Sequence, residues 1–248
     1  MNTQMKRRGL FLLPIFIFVI FTNVVWVNAM HTGFKTKELP SEEKNMFLSN
    51  IDIISIDEEP VKKTIVCFDV SSNQLIAIGQ NTSGRKTICV YSNEGVFQYG
   101  YTFNCSGAFG VEWDEENLNI HFVRSSVILS VSPKGEILGV AEIQNTIENN
   151  SYVNHFIHAT HRTMDDNEYL IKNNMGLLNL FASSYSQIIV KDSTGFESII
   201  YDVSSIQLTK MITIISFICI FLMVAITVVF LKPIRGRLVK RQGTVRNH

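Results

Sequence analysis

Short polar clusters break up strand-like runs at recurring intervals through the middle of this chain. The tetrads Ser92-Asn-Glu-Gly95, Ser132-Pro-Lys-Gly135 and Asp192-Ser-Thr-Gly195 each lie between runs rich in β-branched and aromatic residues. A first-position hydroxyl or carboxylate can bond the backbone two residues on. A fourth-position glycine takes positive φ at little steric cost. The pattern predicts three hairpins built on a type I turn followed by a glycine bulge. A second signature precedes each turn: Val70-Ser-Ser-Asn-Gln-Leu75, Trp113-Asp-Glu-Glu-Asn-Leu118 and Met164-Asp-Asp-Asn-Glu-Tyr169. One apolar residue, four polar ones and another apolar residue predict a further tight hairpin.

Each unit therefore holds two hairpins and about four short antiparallel strands. In the first unit these are expected near Thr64–Asp69, Leu75–Gly79, Thr87–Tyr91 and Val96–Phe103. Unbroken apolar runs such as IVCFDV and LIAIG suit strands covered on both faces. The expected fold class is mainly β: antiparallel four-stranded, propeller-like repeat units, with a β-sandwich as the alternative. Three units are too few for an ordinary closed propeller. An open stack, or a ring completed by a second copy of the chain, satisfies the pattern, and the run NIDIISI (Asn50 to Ile56) could supply part of a fourth unit.

Hydropathy changes sharply at both ends. Met211 to Leu231 is an uncharged run, at about 1.5 Å per residue as long as a bilayer core is thick. Leu10 to Val27 is a second uncharged run. It reads either as a retained span or as a signal peptide cleaved after Val27-Asn28-Ala29. Lys6, Arg7 and Arg8 precede the first run, and six basic residues with no acid follow the second. Basic flanks remain cytoplasmic, so the middle is expected outside the cytoplasm. The expected organisation is 1–29 signal or anchor, 30–209 extracytoplasmic β-repeat domain, 211–231 transmembrane helix and 232–248 basic cytoplasmic tail.

Formal charge is zero over the 248 residues, but it is unevenly placed. All 22 acidic residues lie between Glu38 and Asp202, whereas 12 of the 22 basic ones lie there or, as Lys35 and Lys37, just before it, so residues 30–209 carry about −10. Such a surface repels nucleic acid. The expected partners are the lipid bilayer, an envelope protein or glycan, and a second copy of the chain.

The whole chain, with its CFDV unit, its FGVEW unit, its YSQIIVKDSTGFESIIYDV close and its C-terminal anchor, resembles small membrane-anchored proteins of clostridia and their relatives. Its units resemble the blades of NHL-type β-propellers. That resemblance implies a scaffold and an anchor, and no catalytic residue.

Candidate chemistry is sparse. NHFIHATHR brings His155, His158 and His161 close in sequence, with Asp165, Asp166 and Glu168 near enough to add oxygen ligands to a metal. The stretch reads better as strand than as helix, which would put His158 on the opposite face from the other two. The acidic run at Trp113 to Asn117 lacks the spacing of a calcium loop. Cys67, Cys89 and Cys105 are an odd set, allowing one bridge at most or buried thiols. The third unit is expanded at Asn173 to Ser184, where GLLNLFASS predicts a partner surface or a short packed helix. The expected function is a non-enzymatic, cofactor-free binding or sensing protein. A metal-dependent envelope hydrolase centred on the histidines and an accessory subunit of a transporter or signalling complex are the alternatives.

Overall fold

The structure, a computed structural model, describes residues 30–82 and 84–244, with side chains as far as residue 229. The expected signal or anchor segment at 1–29 lies outside the described residues.

Fourteen strands form three antiparallel sheets among the described residues. Sheet I contains β2 (Ile54–Ile56), β3 (Ile65–Val70), β4 (Ile76–Asn81), β5 (Lys86–Tyr91) and β6 (Phe97–Phe103), in the order β2-β6-β5-β4-β3. Sheet II contains β1 (Thr36–Glu38), β7 (Phe109–Asp114), β8 (Asn117–Phe122), β9 (Val127–Val131) and β10 (Ile137–Ile143), in the order β1-β10-β9-β8-β7. Sheet III runs β11-β12-β13-β14: His161–Met164, Asn167–Lys172, Gln187–Lys191 and Glu197–Asp202. Each repeat is thus one four-stranded meander, as the turn spacing predicts.

The turn chemistry agrees with the sequence. Gly95, Gly135 and Gly195 have φ of 79°, 83° and 85°. Their N–H groups donate to the carbonyls of Ser92, Ser132 and Asp192 at 3.0, 2.8 and 2.9 Å. Asp192 Oδ1 also accepts from the N–H of Thr194 and of Phe196. Further along, the ladder of each hairpin shifts register, between Val90 and Tyr91, Ile137 and Gly139, and Ile188 and Ile189, a bulge that bends the strand pair. The upstream hairpins place Gln74, Glu115 and Asp165 at positive φ.

The first repeat is the middle layer. Ile88, Val90, Tyr101 and Phe103 of sheet I share a core with Val111, Leu118, Ile120 and Leu129 of sheet II. Phe68, Ile76, Ile78 and Tyr91 share the other core with Tyr169, Ile171, Ile188 and Tyr201 of sheet III. Strand alternation delivers successive residues to opposite faces, so β3 to β5 are buried on both. Sheet III turns its far face to water, where Lys172 pairs with Glu197 and Lys191 with Glu168. The described sheets form a stack and close no barrel or propeller.

Three expectations are corrected. The run NIDIISI starts no fourth unit: Asn50 and Ile51 end a helix, α1 (Ser41–Ile51), and β2 pairs with the outer edge of sheet I at β6. β1 covers the edge of sheet II in the same way, so both short strands protect edges that would otherwise expose unpaired backbone. Second, the histidine stretch is strand only from His161: α2 (Ile147–Tyr152) continues as a π-turn over Val153–Ile157, which carries His155, and His158 lies in the turn before β11. Thr146 caps α2 by accepting from the Asn149 N–H at 3.1 Å. Third, the expansion between β12 and β13 does form a short helix, a 3-10 turn at Gly176–Phe181, but not one packed into the core: Leu177, Leu180 and Phe181 are 87%, 85% and 71% exposed.

Cys67 and Cys89 fall on opposite faces of sheet I, one in each core, and are separated by β4, so no bridge joins them. Helix α3 (Ser204–Thr244) leaves directly from β14. Its stretch Ser204–Val229 is long and apolar enough to cross a membrane; the most apolar 18-residue window in it has mean hydropathy 2.9 and is not buried.

Candidate functional site

The first strands of the three repeats converge: β3 lies against both β7 and β11. An acid inside the apolar run of β3 requires a cation, and sheet III supplies it. Asp69 Oδ1 accepts from Arg162 Nε at 2.7 Å, with side-chain exposures of 6% and 9%. Asp69 Oδ2 accepts from the Trp113 N–H at 2.8 Å, and the Trp113 indole donates to the Asp69 carbonyl at 3.3 Å. The rest of the guanidinium donates to the carbonyls of Phe156 at 2.6 Å and His161 at 3.2 Å, and it lies 4.3 Å from the Phe156 ring centre. Burial lifts the Asp69 carboxyl above its ordinary value, against the pull of Arg162 and the Trp113 N–H. One residue from each repeat thus meets in a saturated junction. Its chemistry is structural: each guanidinium nitrogen and each carboxylate oxygen has a protein partner, and both side chains are buried.

Glu112, also on β7, is a second buried acid. It accepts from Thr32 Oγ1 at 2.6 Å, the Gly33 N–H at 2.9 Å and the Tyr152 hydroxyl at 2.6 Å. Burial raises its pKa and the three donors oppose the rise. This cluster fastens the segment before β1 and helix α2 to sheet II. Gly110, two residues earlier on β7, carries no side chain because a Cβ there would strike the Cγ2 of Ile157 in the π-turn.

Beside this cluster lies a cavity of about 390 Å³ between sheet II and the α2–π segment. It is lined by His121, Ser126, Gln144, Asn145, Asn149, Asn150, Val153 and Asn154. Asn149 is committed to structure: its Oδ1 accepts from the Lys35 N–H and its Nδ2 donates to the carbonyls of Lys35 and Gln144. Asn150 and Asn154 are four residues apart on the helical segment and exposed. His121 is 4% exposed, its ring 4.8 Å from that of Phe34, and its Nδ1 has no hydrogen-bond partner. Burial, with His158 nearby, pushes its pKa down to about 4, so it is neutral at pH 7. The wall therefore offers uncharged donors and acceptors within a volume that suits one sugar ring or a short peptide.

The sequence-nominated histidines do not build a site together. His155 is on the π-turn, exposed, with Nδ1 2.9 Å from the Ser151 carbonyl. His158 lies at the end of that turn and lines a different cavity of about 440 Å³. His161 opens β11 and is exposed. Asp165 and Asp166 form the hairpin between β11 and β12, and Glu168 pairs with Lys191. Among the described residues no three His, Cys, Asp or Glu side chains are grouped to hold a metal ion.

Compared with protein-family models, curated proteins and solved structures, the chain matches none of them. The site must therefore be read from its own chemistry. Sequence reasoning passed over Asp69 and Arg162, although an acid within IVCFDV is itself a signal that a buried partner exists. It missed the amide-lined cavity because those residues resemble ordinary loop composition.

Proposed function

We propose that this chain is a membrane-anchored, non-enzymatic binding or sensing protein. On this reading its three meanders are propeller-type blades in an open stack, held outside the cytoplasm by α3. The ligand is a neutral, hydrogen-bonding group such as an envelope glycan or peptide, taken up in the cavity between sheet II and the α2–π segment. The observation that carries the reading is the contrast between the two polar centres. The Asp69–Arg162–Trp113 junction is buried with a protein partner on each polar atom, whereas the neighbouring cavity presents the exposed amides of Asn150 and Asn154 beside a neutral His121. A wall without fixed charge suits polyols and amides better than ions.

The test is binding of cell-wall glycan fragments and envelope peptides to the full chain in detergent, by calorimetry. An Asn150→Ala/Asn154→Ala variant, changed only at exposed positions, is expected to lose at least about tenfold in affinity, some 1.4 kcal/mol. Equal binding by this variant removes the cavity from the function. The orientation has its own test: protease added to intact cells is expected to remove the β domain, and cleavage confined to inside-out vesicles reverses the topology.

A further inference from the structure

The β12–β13 expansion is the one connection between strands of sheet III that leaves three large apolar side chains in water, and its stem is attached to α3. Ser186 accepts from the Val203 N–H at 2.9 Å, and the hydroxyls of Ser186 and Ser204 are 3.2 Å apart. Gln207, in the first turns of α3 and 5% exposed, donates from Nε2 to the Ser184 carbonyl at 2.8 Å. The stem is thus level with Gln207. The uninterrupted apolar run of α3 starts at Met211, four residues further along, or about 6 Å down the helix axis. Phe181 is three residues from Ser184, a reach of up to about 10 Å. Leu177 and Leu180 are spaced i, i+3 on the 3-10 turn and so share a face, with Phe181 beside them.

Charge is distributed to match. The same end of the stack carries the β4–β5 and β8–β9 loops. Lys86 and Ser183 line one cavity with the start of β7, and Tyr185 bridges to Ile65 at the start of β3. Those loops bear Lys86, Arg124 and Arg85, the last in an ion pair with Asp52 at 2.7 Å. The hairpins at the opposite end bear Glu94, Glu115, Glu116, Asp165, Asp166 and Asp192, with Lys134 as their basic residue. An anionic bilayer surface repels the acidic hairpins, so the first end is the one that can face it.

We propose that Leu177, Leu180 and Phe181 insert into the lipid interface beside α3, so that the β domain meets its membrane at two points and is held at a fixed tilt. This rests on the reading of α3 as a membrane span. The occupant is the bilayer, because the loop that carries the apolar patch is hydrogen-bonded at its stem to the helix that enters the bilayer.

The test uses the full chain reconstituted in phosphatidylcholine–phosphatidylglycerol vesicles, with lipids spin-labelled either near the headgroup or deep in the acyl chain. Three variants add a tryptophan to the natural background: Phe181→Trp, Val96→Trp at the far end of the stack, and Phe217→Trp within the span. All three positions are exposed, so folding is not at stake. The added fluorescence of Phe181→Trp is expected to be quenched by the shallow label at least about threefold more than that of Val96→Trp, and Phe217→Trp by the deep label. If Phe217→Trp is quenched while Phe181→Trp matches Val96→Trp, the insertion is overturned and the span stands. If Phe217→Trp escapes both labels, the span reading fails and the insertion with it. A Phe181→Trp that is unquenched but blue-shifted in a chain that dimerises assigns the patch to a second copy, which also overturns the proposal.

Discussion

Replacing Arg162 by methionine keeps much of the side-chain length and removes the cation facing Asp69. Neither partner can fall back on water, since their side chains are 9% and 6% exposed. The change leaves a buried carboxylate without its counter-charge. It also takes a donor from the carbonyls of Phe156 and His161, and a planar cation from the Phe156 ring. Breaking a buried pair from one side costs about 3–5 kcal/mol. At about 4 kcal/mol the folded-to-unfolded ratio drops roughly a thousandfold. Lysine at this position is not expected to rescue, because one ammonium cannot serve three acceptors lying in different directions. A second substitution, Asp69→Asn in the Arg162→Met background, removes the stranded charge and is expected to recover part of the loss. The pH dependence has a definite sign. Without Arg162 the Asp69 carboxyl rises further above its unfolded value, so the folded state of the variant holds the proton more tightly. Its stability is then greatest in acid and falls as pH rises past about 4, where the unfolded carboxyl ionises. Urea unfolding of the full chain in detergent measures this, followed by the fluorescence of Trp113, whose backbone N–H and indole both bond to Asp69. The exposed Lys172–Glu197 pair is the reference: Lys172→Ala should cost well under about 1 kcal/mol. If Arg162→Met costs no more than Lys172→Ala, the junction is not what joins the three repeats.

Other outcomes follow from the same geometry. Gly135→Ala combines a φ of 83° with a Cβ that meets the Ser55 hydroxyl, and should cost about 1–3 kcal/mol in the same unfolding assay, whereas Gly84→Ala, also at positive φ but with open space around it, should cost less. His121 has its folded pKa pushed down to about 4, below the ordinary value near 6.5, so stability is full above pH 6.5 and declines as pH falls toward 4, by up to about 3 kcal/mol. His121→Gln should flatten that decline, and an unchanged pH profile in the variant would count against the assignment. Burial pushes the Cys67 and Cys89 thiols up to about 12, so iodoacetamide at pH 8 should label them only on unfolding, while the half-buried Cys105 reacts first. Mass spectrometry of the labelled peptides checks this, and early modification of Cys67 would show that sheet I is not covered on both faces.

What the sequence determined by itself was local. Turn positions depend on three or four consecutive residues, so Gly95, Gly135 and Gly195 announced their hairpins, and the strands between them were placed to within a residue or two. The long apolar helix segment from Met211 was legible for the same reason, because length and the absence of charge are read along one segment. The order of the layers was not local. IVCFDV and LIAIG showed strands covered on both faces, but not that sheet II takes one face and sheet III the other. That choice depends on which surfaces fit after the hairpins have formed. The helix at 147–157 overrode a strand-like composition because Glu112 and Gly110 give its Tyr152 and Ile157 a place to pack. Asp69 and Arg162 stand 93 residues apart, and only the tertiary fold brings a lone acid in an apolar strand to the cation that permits its burial.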